Sequence, residues 1–206
     1  MNNIDKLIPE AKSPGEFAKG YFAYLKTVLD SIDASSINQL VAQFEAARNE
    51  GATIFVAGNG GSAATATTMA NDIGFDIVKK SGTDKPFRVL ALTDNTSVLT
   101  AIANDVGYED AFLNQLRIHY RKGDRLVVIS ASGNSANVVR ATEWVKERGG
   151  RVTGLLGFEG GKLKGLCDVV VHVKTQAGEY GPVEDAHLIM NHVLAHWFQF
   201  QLRNSS

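Results

Sequence analysis

Val56–Gly74 reads VAGNGGSAATATTMANDIG. Its first residues close an apolar run, TIFVAG (Thr53–Gly58), of the length expected for a strand buried on both faces. Gly58, Asn59, Gly60 and Gly61 then break the chain, and from Ser62 an alanine- and threonine-rich helix begins that carries one acid, Asp72. Glycine admits positive φ and lets backbone come close to a ligand. Ser62 stands where a helix N-cap is expected, with neighbouring amides directed outward along the positive end of the helix dipole. Strand, glycine turn and helix together make an anion site. Two familiar nucleotide loops are excluded, because no lysine completes GxxxxGK[ST] and Ala63 occupies the last glycine of GxGxxG.

The same alternation continues outward. FRVLALTD (87–94), DRLVVISAS (124–132), RVTGLLGF (151–158) and VVVHVKT (169–175) read as strands. Between and after them, helices are expected over 95–105, 110–123, 135–150 and 160–167, and a long one runs from Pro182 to Asn204. Upstream, Phe17, Tyr21, Tyr24, Leu25, Val28 and Leu29 recur at three- and four-residue steps, and Ile37, Leu40, Val41 and Phe44 continue the pattern in a second helix. The fold class is therefore α/β: a doubly wound, flavodoxin-like five-stranded parallel sheet flanked by helices, with an N-terminal helical extension. A single domain is expected over 1–206, divided into the extension (1–50) and the α/β core (51–206). Tyr21, Tyr24, Trp197, Phe198 and Phe200 add more apolar surface than a small sheet needs, which points to a subunit interface.

Bulk properties narrow the function. The formal net charge is -1, which gives no electrostatic footing for nucleic acid or an anionic membrane surface. No apolar run reaches the ~20 residues of a membrane span. One cysteine, Cys167, forms no internal disulfide, so the reading is a cytoplasmic protein. The start of the chain, MNNIDKLIPEAKSPGEF, carries acids and lacks a signal-peptide core.

A second loop follows a buried strand and opens a helix: SASGNS, Ser130–Ser135. Ser130, Ser132 and Ser135 bring three hydroxyls within six residues. One serine at such a place is a helix cap; three beside a second glycine-rich strand end suit a phosphate monoester on a small molecule.

GNGGS, AIAND, SASGNS and a late EDAHLIMNH together resemble the sugar isomerase (SIS) domain family over nearly the whole chain, and most closely its phosphoheptose isomerase subgroup. Replication initiator-associating SIS proteins share the framework and resemble the TDN…VLTAIAND stretch. The resemblance implies substrate binding by Asn59, Gly60, Gly61 and Ser62, by Asn104 and Asp105, and by Ser130, Ala131, Ser132 and Ser135, with Ala131 in place of the usual threonine. It implies aldose–ketose interconversion of sedoheptulose 7-phosphate and glycero-manno-heptose 7-phosphate through an enediol(ate), with Asp72 at the family's catalytic glutamate and His192 at its histidine. Some members hold zinc; the matching positions are Thr68, Asp72, Glu184 and His192, of which Asp72, Glu184 and His192 are competent metal ligands and Thr68 is a poor one. Glu184 is also a candidate substrate contact. No nucleotide cofactor is implied. A homotetramer with sites at subunit interfaces is expected. The competing function class is a non-catalytic phosphosugar-binding or adaptor protein. His119 and His172 receive no role.

Helical spacing supports the placement: Thr65, Thr68 and Asp72 follow at steps of three and four, and on the last helix Asp185, His192 and His196 share a face.

Overall fold

The computed structural model describes residues 1–203. Its five strands are β1 (Thr53–Gly58), β2 (Arg88–Ala91), β3 (Arg125–Ser130), β4 (Arg151–Gly157) and β5 (Val169–Val173). They pair in parallel in the order β2-β1-β3-β4-β5. Helices α1 (Asn3–Glu10), α2 (Pro14–Asp30) and α3 (Ala34–Glu50) precede the sheet. The crossovers carry α4 (Gly61–Met69), α5 (Ile77–Ser81), α6 (Thr96–Asp105), α7 (Ala111–His119), α8 (Ala136–Glu147) and α9 (Leu163–Leu166), and α10 (Tyr180–Arg203) closes the described chain. The expected end of the last helix at Asn204 lies outside the described residues. No helix among them is long and apolar enough to cross a membrane.

Alternation along each strand sends apolar side chains to both faces. Ile54, Val56, Val127 and Ile129 pack with Leu40, Phe44, Met69, Met190 and Phe198 on the side of α3, α4 and α10. Phe55, Ala57, Leu126 and Val128 pack with Phe112, Leu116, Val138 and Val145 on the side of α7 and α8. The chain leaves β1 toward β2 on one side and later returns through β3 to the other. The winding therefore reverses between β1 and β3, where a doubly wound sheet opens its ligand crevice. Their register pairs Gly58 with Ile129, so GNGGS and SASGNS emerge side by side.

Three details differ from the sequence reading. The first is α1, a helix not anticipated from composition; a capping box between Asn2 and Asp5 starts it. The backbone amide of Asn3 and the Tyr24 hydroxyl both donate to Glu179, a buried carboxylate just before α10. The second is the helix after GNGGS, which is not uniformly α: Ala70–Asp76 is a π-helix, so Asp72 does not continue the α-helical stripe of Thr65 and Thr68. The third concerns the aromatic surplus. Phe198 is core, its ring centroid 5.9 Å from that of Phe44 and 4.5 Å from that of Phe87, and Tyr21 and Tyr24 are spent on Asp185 and Glu179. Trp197 and Phe200 remain exposed.

His187 is buried on α10, and burial pushes its pKa down to about 4. The Leu156 backbone opposes the shift, yet neither ring nitrogen makes a hydrogen bond of normal geometry. The unfolded chain takes up this proton near pH 6.5, whereas the folded chain resists it to about pH 4. Stability is therefore present above pH 6.5 and lost as pH falls toward 4, by roughly 3 kcal/mol in all. Urea titrations across this window should show the loss, and His187→Asn should flatten it relative to the parent. Equal slopes in the two proteins would mean that His187 does not set the acid limit.

Candidate active site

At the switch point the two loops enclose a cavity of about 140 Å³. Asn59 and Ser62 come from the first loop, Ser130, Ala131, Ser132 and Ser135 from the second, and Tyr180 and Glu184 from the start of α10. Among the described residues lining it, none is lysine or arginine. An anion here is met by hydroxyls, amides and the amino ends of α4 and α8. The cap of α4 is Gly60, at φ 54, and not Ser62 as its position in the sequence implies. Ser62 lies two residues further in, within the first turn, buried and lining the cavity. Ser135 caps α8 without a side-chain bond to the helix.

Several groups invisible in the motifs hold these loops in place. Asn59 and Asn137 exchange side-chain amide bonds of 2.9 Å in both directions, and the Tyr108 hydroxyl donates to Asn59 Oδ1 at 2.7 Å. In the second loop, the Gly133 amide donates to Ser130 Oγ at 3.0 Å and that of Asn134 to Ser132 Oγ at 3.2 Å. A turn at 157–162, GFEGG and Lys162, packs against it: Lys162 N–H donates to Asn134 Oδ1 at 3.0 Å, and Leu163 N–H to the Gly133 carbonyl at 3.1 Å. In that turn Phe158 holds φ 46, a strained value for a phenylalanine. Its carbonyl accepts a 2.8 Å bond from His172, which gives that histidine a structural role.

Glu184 reaches over the first loop so closely that a Cβ at Gly61 would run into its carboxylate. Burial, with Asp185 beside it, raises the Glu184 pKa. The Tyr21 hydroxyl binds Asp185 at 2.5 Å, and burial together with this bond pushes the phenol's pKa far up.

The second group of predicted residues gathers between the π-helix and α10. His192 Nε2 stands 3.7 Å from Asp72 Oδ2, and Asn191 Nδ2 donates to the same oxygen at 2.8 Å. His192 is half-exposed and borders an apolar groove of about 710 Å³ between α3 and α10, lined also by Ile37, Val41, Val193, Trp197 and Phe200. Eight residues separate Glu184 from His192, roughly 12 Å along the helix. The three metal candidates thus divide: Asp72 and His192 meet, while Glu184 faces the anion cavity. Thr68 spends its hydroxyl on the Ala64 carbonyl at 2.9 Å. Among the described residues no group of three His, Cys, Asp or Glu could hold a metal ion. The donors of a single chain do not fit zinc.

Asn104 and Asp105 end α6 exposed, with Asn104 Nδ2 donating to Asp105 Oδ1 at 2.7 Å, and neither borders the cavity. Sequence reasoning missed Asn137, Tyr108, Tyr180, Asn191 and the GFEGG turn. Asn137 sits within the helix that follows SASGNS and could have been suspected there; the others depend on contacts between distant segments.

Comparison with known proteins fits this geometry. A family model described as SIS domain matches residues 20–157. The phosphoheptose isomerase of Aneurinibacillus thermoaerophilus is 39% identical over 159 residues, covering 77% of this chain and 77% of the relative. That of Rhodospirillum rubrum is 38% identical over 162 residues, covering 78% and 83%. The solved phosphoheptose isomerase of Neisseria gonorrhoeae superimposes with a TM-score of 0.80 at 30% identity, over 90% of this chain and 98% of that one.

Proposed function

The chain belongs to the SIS domain family, and on that premise we propose that it is an aldose–ketose isomerase interconverting sedoheptulose 7-phosphate and glycero-manno-heptose 7-phosphate in a reducing cytoplasm. The observation that carries the reading is the hydroxyl- and amide-lined cavity at the switch point. It offers a phosphate monoester many donors and no fixed cation. Ser130, Ser132 and Ser135 would take the phosphate, with Ser62, Asn59 and the backbone of Gly60, Gly61 and Ala131 closing the mouth. Glu184, whose raised pKa eases proton retention, would donate toward a substrate oxygen.

The chemistry requires a base and an acid on the open-chain sugar. Asp72 takes the proton from the carbon beside the ketone, the electron pair moves into an enediolate, and a proton returns to the former carbonyl carbon. The hydroxyl proton passes between the two oxygens, so atoms balance without a redox partner. His192, beside Asp72 and open to the groove, is suited to deliver the proton. No step is drawn through zinc, because one chain assembles two of the three donors.

The groove beside His192 is the proposed interface of a homotetramer. A second copy laid on Trp197 and Phe200 would cover exposed apolar surface and remove water from His192, where a proton shuttle works best shielded. Asn104 and Asp105, remote from their own cavity, would serve across that assembly.

Incubation with sedoheptulose 7-phosphate in D2O, followed by proton NMR, tests the function, and light scattering on the same sample tests the assembly. Loss of signal beside the carbonyl and a four-chain mass are expected. Binding without exchange would leave a phosphosugar-binding adaptor, and a monomer that turns over would remove the interface from the mechanism.

A further inference from the structure

We propose that Asn191 is a positioning residue that sets the direction of the Asp72 carboxylate, an inference that rests on Asp72 being the base. Asn191 is fully buried on α10, yet it points its amide nitrogen at Asp72 Oδ2, 2.8 Å away. Its other end, Oδ1, is buried without a hydrogen-bond partner. A buried unpaired acceptor is costly, and a core packed for stability would place an aliphatic side chain there. The orientation is nonetheless fixed, since the flipped amide would set its oxygen against a carboxylate oxygen. The unpaired oxygen is thus tolerated in exchange for a rigid donor aimed at a partly exposed acid.

The consequence for Asp72 is an asymmetry between its oxygens. Oδ2 is held by Asn191, with His192 next to it at 3.7 Å, beyond hydrogen-bond range. Oδ1 meets Asn71, an exposed neighbour 3.0 Å away that substrate can displace. Oδ1 is then the atom that receives the substrate proton, and Asn191 determines where it lies. Asp72 sits in a π-helical stretch, a rare widening of the helix that recurs at functional sites. Along the direction Asp72 now takes, the 2.8 Å contact leaves no space for a longer acid. An added methylene at position 72 would drive the carboxylate into the Asn191 amide.

Deuterium exchange into sedoheptulose 7-phosphate reads the effect. Asn191→Leu, which keeps the branched shape and removes the donor, should lower kcat by about 10- to 100-fold with KM within about two-fold of the parent. Asp72→Glu should lose activity, and Asp72→Glu combined with Asn191→Ala should recover at least several-fold over Asp72→Glu. A kcat unchanged in Asn191→Leu, or a double variant no better than the single, would overturn the proposal. A fall in kcat matched by KM and by lost folded signal would mean mere structural damage, and would also overturn it. One arm does not depend on turnover. The Asn191 side-chain amide protons, identified by their absence from Asn191→Leu, should exchange with solvent about ten-fold faster in Asp72→Ala. Equal exchange rates would show that no such bond exists. A parent protein that keeps the slow pair but turns over no substrate would leave the anchor standing and sink the isomerase function instead.

Discussion

Asp72→Asn should abolish the exchange of the proton beside the carbonyl, lowering kcat by roughly 10²- to 10⁴-fold, the usual contribution of a positioned general base. The substitution is nearly isosteric and removes the proton-accepting charge. Asp72 lies at the edge of the protein, one-fifth exposed, so folding should hardly change. Sugar phosphate affinity should also survive, because the anion cavity is built by other loops. This combination of lost exchange and retained binding separates a base from a binding residue. Activity above about a tenth of the parent's would move the base elsewhere, with Glu184 the first candidate through its raised pKa and its place on the cavity. His192→Gln provides the companion measurement. If the histidine delivers the proton, exchange at the first carbon should outlive net isomerisation, because abstraction by Asp72 can continue without completion.

Much of this arrangement is legible in the sequence because it is local. A six-residue apolar strand followed by glycine, asparagine and serine specifies a strand, a turn and a helix start in consecutive residues, and parallel pairing then brings two such turns together. Gly58 and Ile129 facing each other across β1 and β3 are the outcome of that logic. Asp72 and His192 were legible through a resemblance, and the structure brings them to 3.7 Å. What escaped the sequence depends on long-range contact. Nothing in the local pattern around Asn191 distinguishes it from a solvent-facing amide, since its neighbours Met190 and His192 point to opposite environments. The π-helix escaped because hydrophobic periodicity registers an average turn and not a widening within it. Glu184 was grouped with Asp72 by family correspondence, but two helical turns carry it to a different pocket. Phe198 counts in the sequence among the surplus apolar residues, some of which are expected at an interface, and only the position of Phe44 and Phe87 shows that it faces inward.

Gly133→Ala is the substitution expected to do most harm to phosphate binding without touching the catalytic pair. Gly133 holds φ 65, and a Cβ there would be driven into the Gly160 carbonyl. The obstacle is backbone, so no side chain can swing away. The loop can retreat only by giving up bonds: the Gly133 amide is tied to Ser130 Oγ at 3.0 Å, and its carbonyl accepts from Leu163 N–H at 3.1 Å. Left-handed strain and overpacking together should cost roughly 3 kcal/mol of folding stability. The larger consequence is geometric. Relieving the clash requires the SASGNS loop to part from the GFEGG turn, which displaces the hydroxyls of Ser130 and Ser132 from a shared anion. Affinity for sugar phosphate should fall by at least ten-fold, read by calorimetry below the melting temperature of the variant. Gly165→Ala is the control: a Cβ at Gly165 meets nothing within 4 Å, and alanine inside the short helix α9 should leave stability unchanged or raise it by up to about 1 kcal/mol. If Gly133→Ala binds like the parent, the phosphate does not sit against this loop, and the anion would have to be held by the amino end of α4 instead.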